Sequence, residues 1–401
     1  MSARTISVSF AAVFLTLGIA LSGCEGGPPF EPPTGDLAVA RRHPDRVKIE
    51  WPGREFRTLQ AAIDAAPAGA LIEIQAGDHV VAATLRVENK TLELAGAGSG
   101  RNGTGPVTRL IGPAPSPVVD ESGRLIRPAE GAEPLIASLG ADLEVRDLVL
   151  SGFDAGILAR ADAAGRSGRT VARDLVIENT GRGIVSLESG DLFVQDADIL
   201  APLWHGIAVK GTAFQAGLGA FEVHETTIIN PGCAGIYFSN ASTVIGGVSV
   251  IGASCGGVVG FQANGLILDS ILLSNRWAGI ILFEAPVFLI RDNLIQNTLT
   301  TQVLQIAGDG MSIFASPDVN VENNLIIDSA RAGLGVYGSH VELEDNTIVC
   351  SAFDIDNETY GGVPTTFSDL GGNQCGCGEP LLGTCIAVSS QLVPMVPENA
   401  P

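Results

Sequence analysis

Positive charge is scarce in this chain. Its 401 residues hold 23 Lys and Arg against 44 Asp and Glu, a formal charge of −21, and only three of the bases are lysines. Nucleic-acid binding rests on neutralising phosphates, so a surface this acidic excludes it. Aromatics are also few, 5% of residues with three Trp and three Tyr, which leaves little for a broad platform on which sugars could stack. No Walker A or H-E-x-x-H occurs and the five His stand singly, so the familiar P-loop and zinc-protease routes have no carrier. What abounds is aliphatic. The chain is 46% hydrophobic and only 17% charged, with 50 Gly, which excludes disorder and calls for a large core in an unusual architecture.

The N-terminus carries an address. Arg4 precedes a mostly apolar run from Val8 to Leu21, too short to span a hydrocarbon core of about 30 Å, so residues 1–23 read as a signal peptide. Its end, Leu21-Ser22-Gly23-Cys24, resembles the lipobox of bacterial lipoproteins. That resemblance implies cleavage before Cys24 and lipidation of its sulfur and new N-terminus, making the membrane a partner through the lipid anchor. With Glu25 rather than Asp next, it implies an exported protein at the bacterial outer membrane or cell surface. Residues 24–45, opening Glu25-Gly26-Gly27-Pro28-Pro29-Phe30-Glu31-Pro32-Pro33, have no periodicity and read as a Pro/Gly-rich tether. More than one acyl chain is what a stable anchor requires.

From Val145 onwards the chain repeats itself. Taking Asp147 as a marker, equivalent positions follow at Asp174, Asp196, Glu225, Gly247, Asp269, Asp292, Asn323 and Asp345, a base period of 22 with three insertions. Two residues before each marker and three after it the side chain is aliphatic in every repeat, from Val145 and Leu150 to Leu343 and Ile348. Nine or ten residues after it, Gly followed by an aliphatic residue recurs, as in Gly156-Ile157, Gly235-Ile236 and Gly333-Leu334. Short Val- and Ile-rich runs with turn residues every eight to twelve positions specify strands. If each repeat is one rung, rungs pair in parallel about 4.8 Å apart and columns stack on themselves. The expected fold is all-β: a right-handed parallel β-helix solenoid over 46–350, its hand following the crossover rule. One residue after the marker, Asn293, Asn324 and Asn346 suit an inward ladder that satisfies turn amides by repetition.

Upstream, Leu59, Ala62, Ile63 and Ala66 fall on one helical face, with Thr58 to cap the start and Pro67 to stop the end, so a short N-terminal capping helix is expected to plug the solenoid. The patterns Thr58-Leu59-Gln60-Ala61-Ala62-Ile63 and Leu71-Ile72-Glu73-Ile74-Gln75-Ala76-Gly77 resemble the openings of the pectate-lyase-like β-helix superfamily. The resemblance runs over roughly 47–350. It implies the fold and leaves the activity open, because that superfamily holds lyases, hydrolases, esterases, epimerases, tailspikes and non-enzymatic surface proteins.

Seven Cys less the lipidated Cys24 leaves six. Cys233 and Cys255 each lie eight residues after their marker on successive rungs, close enough for a disulfide. Cys350, Cys375, Cys377 and Cys385 cluster where the repeat fades and suit a C-terminal cap over 351–401, with pairing undetermined.

Candidate site residues gather at two insertions, Arg160–Arg169 and Lys210–Phe221, which both follow the Gly-aliphatic strand and so emerge from one edge of the solenoid. Between Arg160 and Lys210 stand six bases and seven acids, nearly neutral within a very acidic chain. Loops on a rigid scaffold commonly carry function, so Arg160, Arg166, Arg169, Arg173, Arg182, His205 and Lys210 are the candidate ligand-binding residues. Trp204-His205-Gly206 is similar to the His-Gly motif of polygalacturonases, but the Asp pair and Arg-x-Lys of that family are missing, and inverting hydrolysis has no mechanism without opposed carboxylates. A lyase would need an Asp cluster holding Ca²⁺ and an Arg base; Asp196 and Asp198 with Arg173 or Arg182 can be drawn into that scheme. Asp354, Asp356 and Glu358 alternate without a calcium-loop frame. The leading expectation is a membrane-anchored, monomeric lipoprotein whose β-helix presents an elongated surface for glycan or envelope-partner binding, with no cofactor, no metal and no nucleic acid. The alternative is a polysaccharide lyase or related carbohydrate-active enzyme working in a groove near 160–221, with Ca²⁺, and a further one is a structural envelope protein.

Overall fold

The computed structural model describes residues 46–101, 103, 105–115, 133–188, 190–211, 220–300, 307–377 and 383–391. Residues 1–45, over which a signal peptide, the lipidated Cys24 and a tether are expected, lie outside the described residues, as does most of the second insertion. Among the described residues there are thirty-four strands and one helix, arranged in a 22-stranded and a 12-stranded sheet. Successive coils pair in parallel, and the chain is a right-handed parallel β-helix.

Both aliphatic columns stack as their spacing requires. Val145, Ala172, Val194, Val223, Ile245, Ile267, Ile290, Val321 and Leu343 are partners from coil to coil. Leu150, Ile177, Ile199, Ile228, Val250, Leu272, Ile295, Ile326 and Ile348 form the second row. All of them are buried in one continuous core, where each side chain removes apolar area from water against its own copies above and below.

The marker explains itself in the backbone. All nine marker residues have positive φ, from 45° at Glu225 to 63° at Gly247, so each coil bends at a left-handed residue. Asp, Asn and Gly tolerate that region best, which is why they dominate the column. The Asn ladder sits just behind the bend: Asn293 Nδ2 donates to Asn324 Oδ1 at 2.9 Å, Asn324 to Asn346 at 3.0 Å, and Asn346 to Asn373 at 3.0 Å. The same Oδ1 atoms accept the backbone N–H of Asn293, Asn324 and Asn346.

Asn373 also shows that the solenoid continues beyond residue 350. Strands Phe353–Glu358, Thr366–Gly371 and Gln374–Gly376 pair with the coil below, and Gly372, at φ 74°, stands at the marker position. The repeat is hard to read there because the register slips between Leu343 and Glu344, displacing the aliphatic position before the marker. Disulfides Cys350–Cys377 and Cys375–Cys385 staple this last coil, and Cys233–Cys255 joins two rungs with Cα atoms 4.5 Å apart. At the other end, the helix Leu59–Ala65 buries Leu59, Ala62 and Ile63 against the core, with the Thr58 hydroxyl accepting the Ala61 N–H at 3.1 Å.

Candidate functional site

Strands of the 12-stranded sheet alternate, so one set of side chains fills the core and the other faces outward. Ile207, Ile236, Val258 and Ile280 point inward. The outward set forms separate apolar clusters, with Tyr237, Val259, Ile281, Phe314 and Tyr337 in the larger and Leu158 and Val185 in the smaller. One outward row runs Arg160, Leu187, Lys210, Ser239, Phe261, Phe283, Phe314, Tyr337 and Glu358 in unbroken register. It is a line of two cations, then aromatics, then an acid.

The few aromatics are therefore not spread evenly. All three Tyr and two of the three Trp belong to this face. His205 stacks on Tyr237 at 5.3 Å, Tyr237 meets Phe261 at 5.8 Å, Phe261 meets Phe283 at 5.7 Å, and Phe314 stacks on Tyr337 at 4.5 Å. Tyr360 stands edge-on to Phe283 and Phe314. Phe261, Trp277, Phe283 and Tyr360 are half-buried, leaving ring surface open to a ligand. Near the cationic end, Trp204 Nε1, Thr180 Oγ1 and Ser239 Oγ are buried without a hydrogen-bond partner among the described residues, an expensive state for a polar atom.

The structure divides the candidate residues read from the sequence. Arg160 and Lys210 flank Leu187 on the same outward row, on strands two coils apart. Arg166 lies in the first insertion and is engaged by Asp162 at 2.7 Å, while the Arg169 backbone N–H donates to Asp142. Arg182 and His205 are buried, and His205 Nδ1 accepts the Ala234 N–H at 3.2 Å. Arg173 belongs to the other sheet, its guanidinium 5.0 Å over the Phe193 ring. The base facing Asp196 and Asp198 is neither Arg173 nor Arg182 but Arg101, at 3.2 and 3.0 Å. Its glycine-rich loop is remote in sequence, so no local pattern betrays the pairing. A cleft of about 360 Å³ lies on the 22-stranded sheet where Gly265 leaves a gap between Thr243 and Phe288, and none of the candidate residues lines it.

A cluster that the sequence did not reveal closes the outward face at its acidic end. Arg331 holds Asp309 through Nε at 2.8 Å and Nη2 at 2.5 Å, and Asp356 through Nη1 at 2.6 Å. Tyr337 donates to Asp309 at 3.0 Å and contacts Arg331, while Ser312 and the Ala332 N–H also donate to Asp309. Gly335 makes room, since a Cβ there would collide with the Tyr337 hydroxyl. Burial, reinforced by the Asp309 carboxylate, pushes the Tyr337 phenol up, so it remains a neutral donor. Burial works against the Arg331 charge, but Asp309 and Asp356 more than offset it and the guanidinium is held more firmly protonated than usual. Burial also raises Asp356, against the pull of Ser390 and Arg331. Asp356 is thus one arm of an ion cluster, not a calcium ligand in waiting, and Asp309 was hidden because the insertion after Asn297 shifts its strand, Asp309–Phe314, off the 22-residue period.

Among the described residues no group of three or more His, Cys, Asp or Glu gathers as a metal site, and no helix is long and apolar enough to cross a membrane. The family profile described as "Right handed beta helix region" matches residues 205–369. No curated protein sequence matches the chain. Among solved structures, the A-module of mannuronan C-5 epimerase AlgE4 from Azotobacter vinelandii is 16% identical with a TM-score of 0.45, over 77% of this chain and 94% of that one. A variant of the periplasmic alginate epimerase AlgG is 13% identical with a TM-score of 0.47, over 82% of each chain. The catalytic unit of a thermostable GH87 α-1,3-glucanase from Streptomyces thermodiastaticus is 17% identical with a TM-score of 0.43, over 78% of this chain and 64% of that one. This chain is a right-handed parallel β-helix, the fold that the matching family description names.

Proposed function

We propose that this protein is a lipid-anchored β-helix that binds an extended glycan along the outward face of its 12-stranded sheet. The concentration of aromatics on that face carries the reading: a chain with three Trp and three Tyr places five of those six there. Rings with an apolar body and a polar edge suit sugars, whose C–H faces stack while their hydroxyls seek donors and acceptors. The half-buried rings of Phe261, Trp277 and Phe283 supply the platform. Arg160 and Lys210, at the end of the same row, add charge-assisted donors, and Cys24 holds the face at the membrane surface.

Among the described residues, acids converge on the bends of the 22-stranded sheet, where Asp147, Asp174, Asp196 and Asp198 surround Arg101 and Arg146, and on the 12-stranded sheet, where Asp309 is 1% and Asp356 0% exposed with Arg331 between them. The acids on the bends lie on the other sheet from the aromatic face, and carboxylates engaged by an internal guanidinium and shut from solvent, as at Arg331, neither abstract protons nor attack sugars, so binding without turnover is the better fit. Retention on immobilised polysaccharides tests this. The full chain is expected to be retarded on at least one extended glycan, and Trp277→Ala with Phe283→Ala to weaken that retention about tenfold or more. Equal retention of wild type and variant would contradict it, and absorbance from an unsaturated product on uronate polymers would favour a lyase. Cys24→Ser is expected to release the protein from the membrane fraction; continued association would refute the anchor.

A further inference from the structure

The cleft on the 22-stranded sheet belongs to none of the groups described above. It runs across the starts of four successive strands, Ser242–Gly246, Asn264–Leu268, Phe288–Arg291 and Val319–Glu322, so three rung spacings make it about 14 Å long. Its floor follows from one inward row, Phe221, Thr243, Gly265 and Phe288. The two phenylalanines fill that row at either end, whereas Thr243 is small and Gly265 leaves it open. Glycine is required there, because φ is 148° and a Cβ would lie 2.0 Å from the Thr243 carbonyl oxygen.

The walls are aliphatic and uncharged. Val244, Leu266 and Leu289 form one side, all half-buried, and Val287, 55% exposed, stands across the floor from Leu289. No Lys, Arg, Asp or Glu lines the cleft, and the outward row that builds its wall runs from Glu222 through Val244, Leu266, Leu289 and Asn320 to Glu342, so a carboxylate stands beyond each end. Two polar atoms of the lining lack partners. Thr243 is 2% exposed, and its Oγ1, like Asn320 Oδ1, is buried without a hydrogen-bond partner among the described residues. Ser242, by contrast, donates to Asn264 at 2.8 Å. Unpaired buried polar atoms are costly and call for an explanation.

We infer that this cleft binds an uncharged amphiphile, a hydrocarbon chain laid along Val244, Leu266 and Leu289 whose hydroxyl or amide groups pair with Thr243 Oγ1 and Asn320 Oδ1. Each methylene placed between the aliphatic walls leaves water for an apolar surface. An anionic head would meet the carboxylates of Glu222 and Glu342 with no cation in the lining to hold it. An ammonium head would give up its hydration for a single neutral carbonyl, which does not repay it. The cleft lies on the other sheet from the aromatic face, so the amphiphile binds there whether or not a glycan occupies that face.

Calorimetric titration tests the proposal on the full-length chain carrying Cys24→Ser, a change that removes the expected lipid and with it the need for a competing detergent. The probes are 1-hexanol, 1-octanol, octanoate and octylammonium. 1-Octanol is expected to bind saturably at one site, about tenfold more tightly than 1-hexanol for its two further methylenes, and about tenfold more tightly than either ion. Leu266→Glu is expected to abolish that binding and Thr243→Val, which keeps the side-chain shape, to weaken it about fivefold, both with unchanged circular dichroism. Trp277→Ala with Phe283→Ala is expected to bind 1-octanol as before, which separates this site from the glycan-binding face. Absence of saturable binding overturns the proposal. So does equal affinity for octanoate or octylammonium, equal affinity in Leu266→Glu or Thr243→Val, or loss of binding in the Trp277 and Phe283 variant.

Discussion

At the residue scale, the chain reveals most where one side chain answers one backbone demand. The left-handed bend asks for Asp, Asn or Gly, and the marker column supplies them. The ladder behind it is a chain of buried amides with every donor placed, so Asn324→Ala would strand partners on both neighbouring coils and is expected to cost about 3 kcal/mol in chemical denaturation. Asp309→Ala would leave Arg331 short of a partner inside the protein and should cost about 3–5 kcal/mol. Asp174 behaves in the opposite sense. Burial first, then Asp147 and Asp196, raise its carboxyl above the ordinary range, so folding favours its protonated form and stability falls as pH rises from the unfolded carboxylate value through the folded one. Asp174→Asn, which keeps a residue tolerant of positive φ, is expected to unfold at higher denaturant than wild type at neutral pH, with the advantage gone below about pH 4. Equal midpoints at neutral pH would contradict that sign.

At the scale of elements, legibility tracked periodicity. Rungs at the 22-residue spacing were readable because each must set the same side chains on the same columns, and the helix was readable because Thr58 and Pro67 bracket one apolar face. The strand Asp309–Phe314 and the coil from Phe353 to Gly376 escaped, the first behind an insertion and the second behind a register slip. The Asp309–Arg331–Tyr337–Asp356 cluster escaped with them, since it joins three strands whose alignment depends on those two irregularities. Arg101 illustrates the same limit, because its partners lie 95 residues away on a loop contact with no period at all. The rung-to-rung disulfide needed only the period. Replacing Cys233 and Cys255 by Ser opens a link of 22 residues and is expected to lower stability by about 3 kcal/mol, measured as a lower denaturation midpoint.

At the scale of the whole molecule, a solenoid offers long faces rather than a pocket, and chemistry is assigned to faces by what the outward rows hold. One sheet turns outward a row that passes from Arg160 and Lys210 through four aromatics to Glu358. The cations are legible from their places beside insertions, but the aromatics are not, because rings on different coils come together only when coils are counted correctly. The proposed glycan-binding face rests on that alignment, and tryptophan fluorescence probes it directly. In a chain carrying Trp51→Phe and Trp204→Phe, Trp277 is the sole reporter. Titration with a retained polysaccharide is expected to shift its emission saturably, with the same half-point as retention. Saturable binding that leaves the Trp277 emission untouched would place the glycan elsewhere and contradict the account.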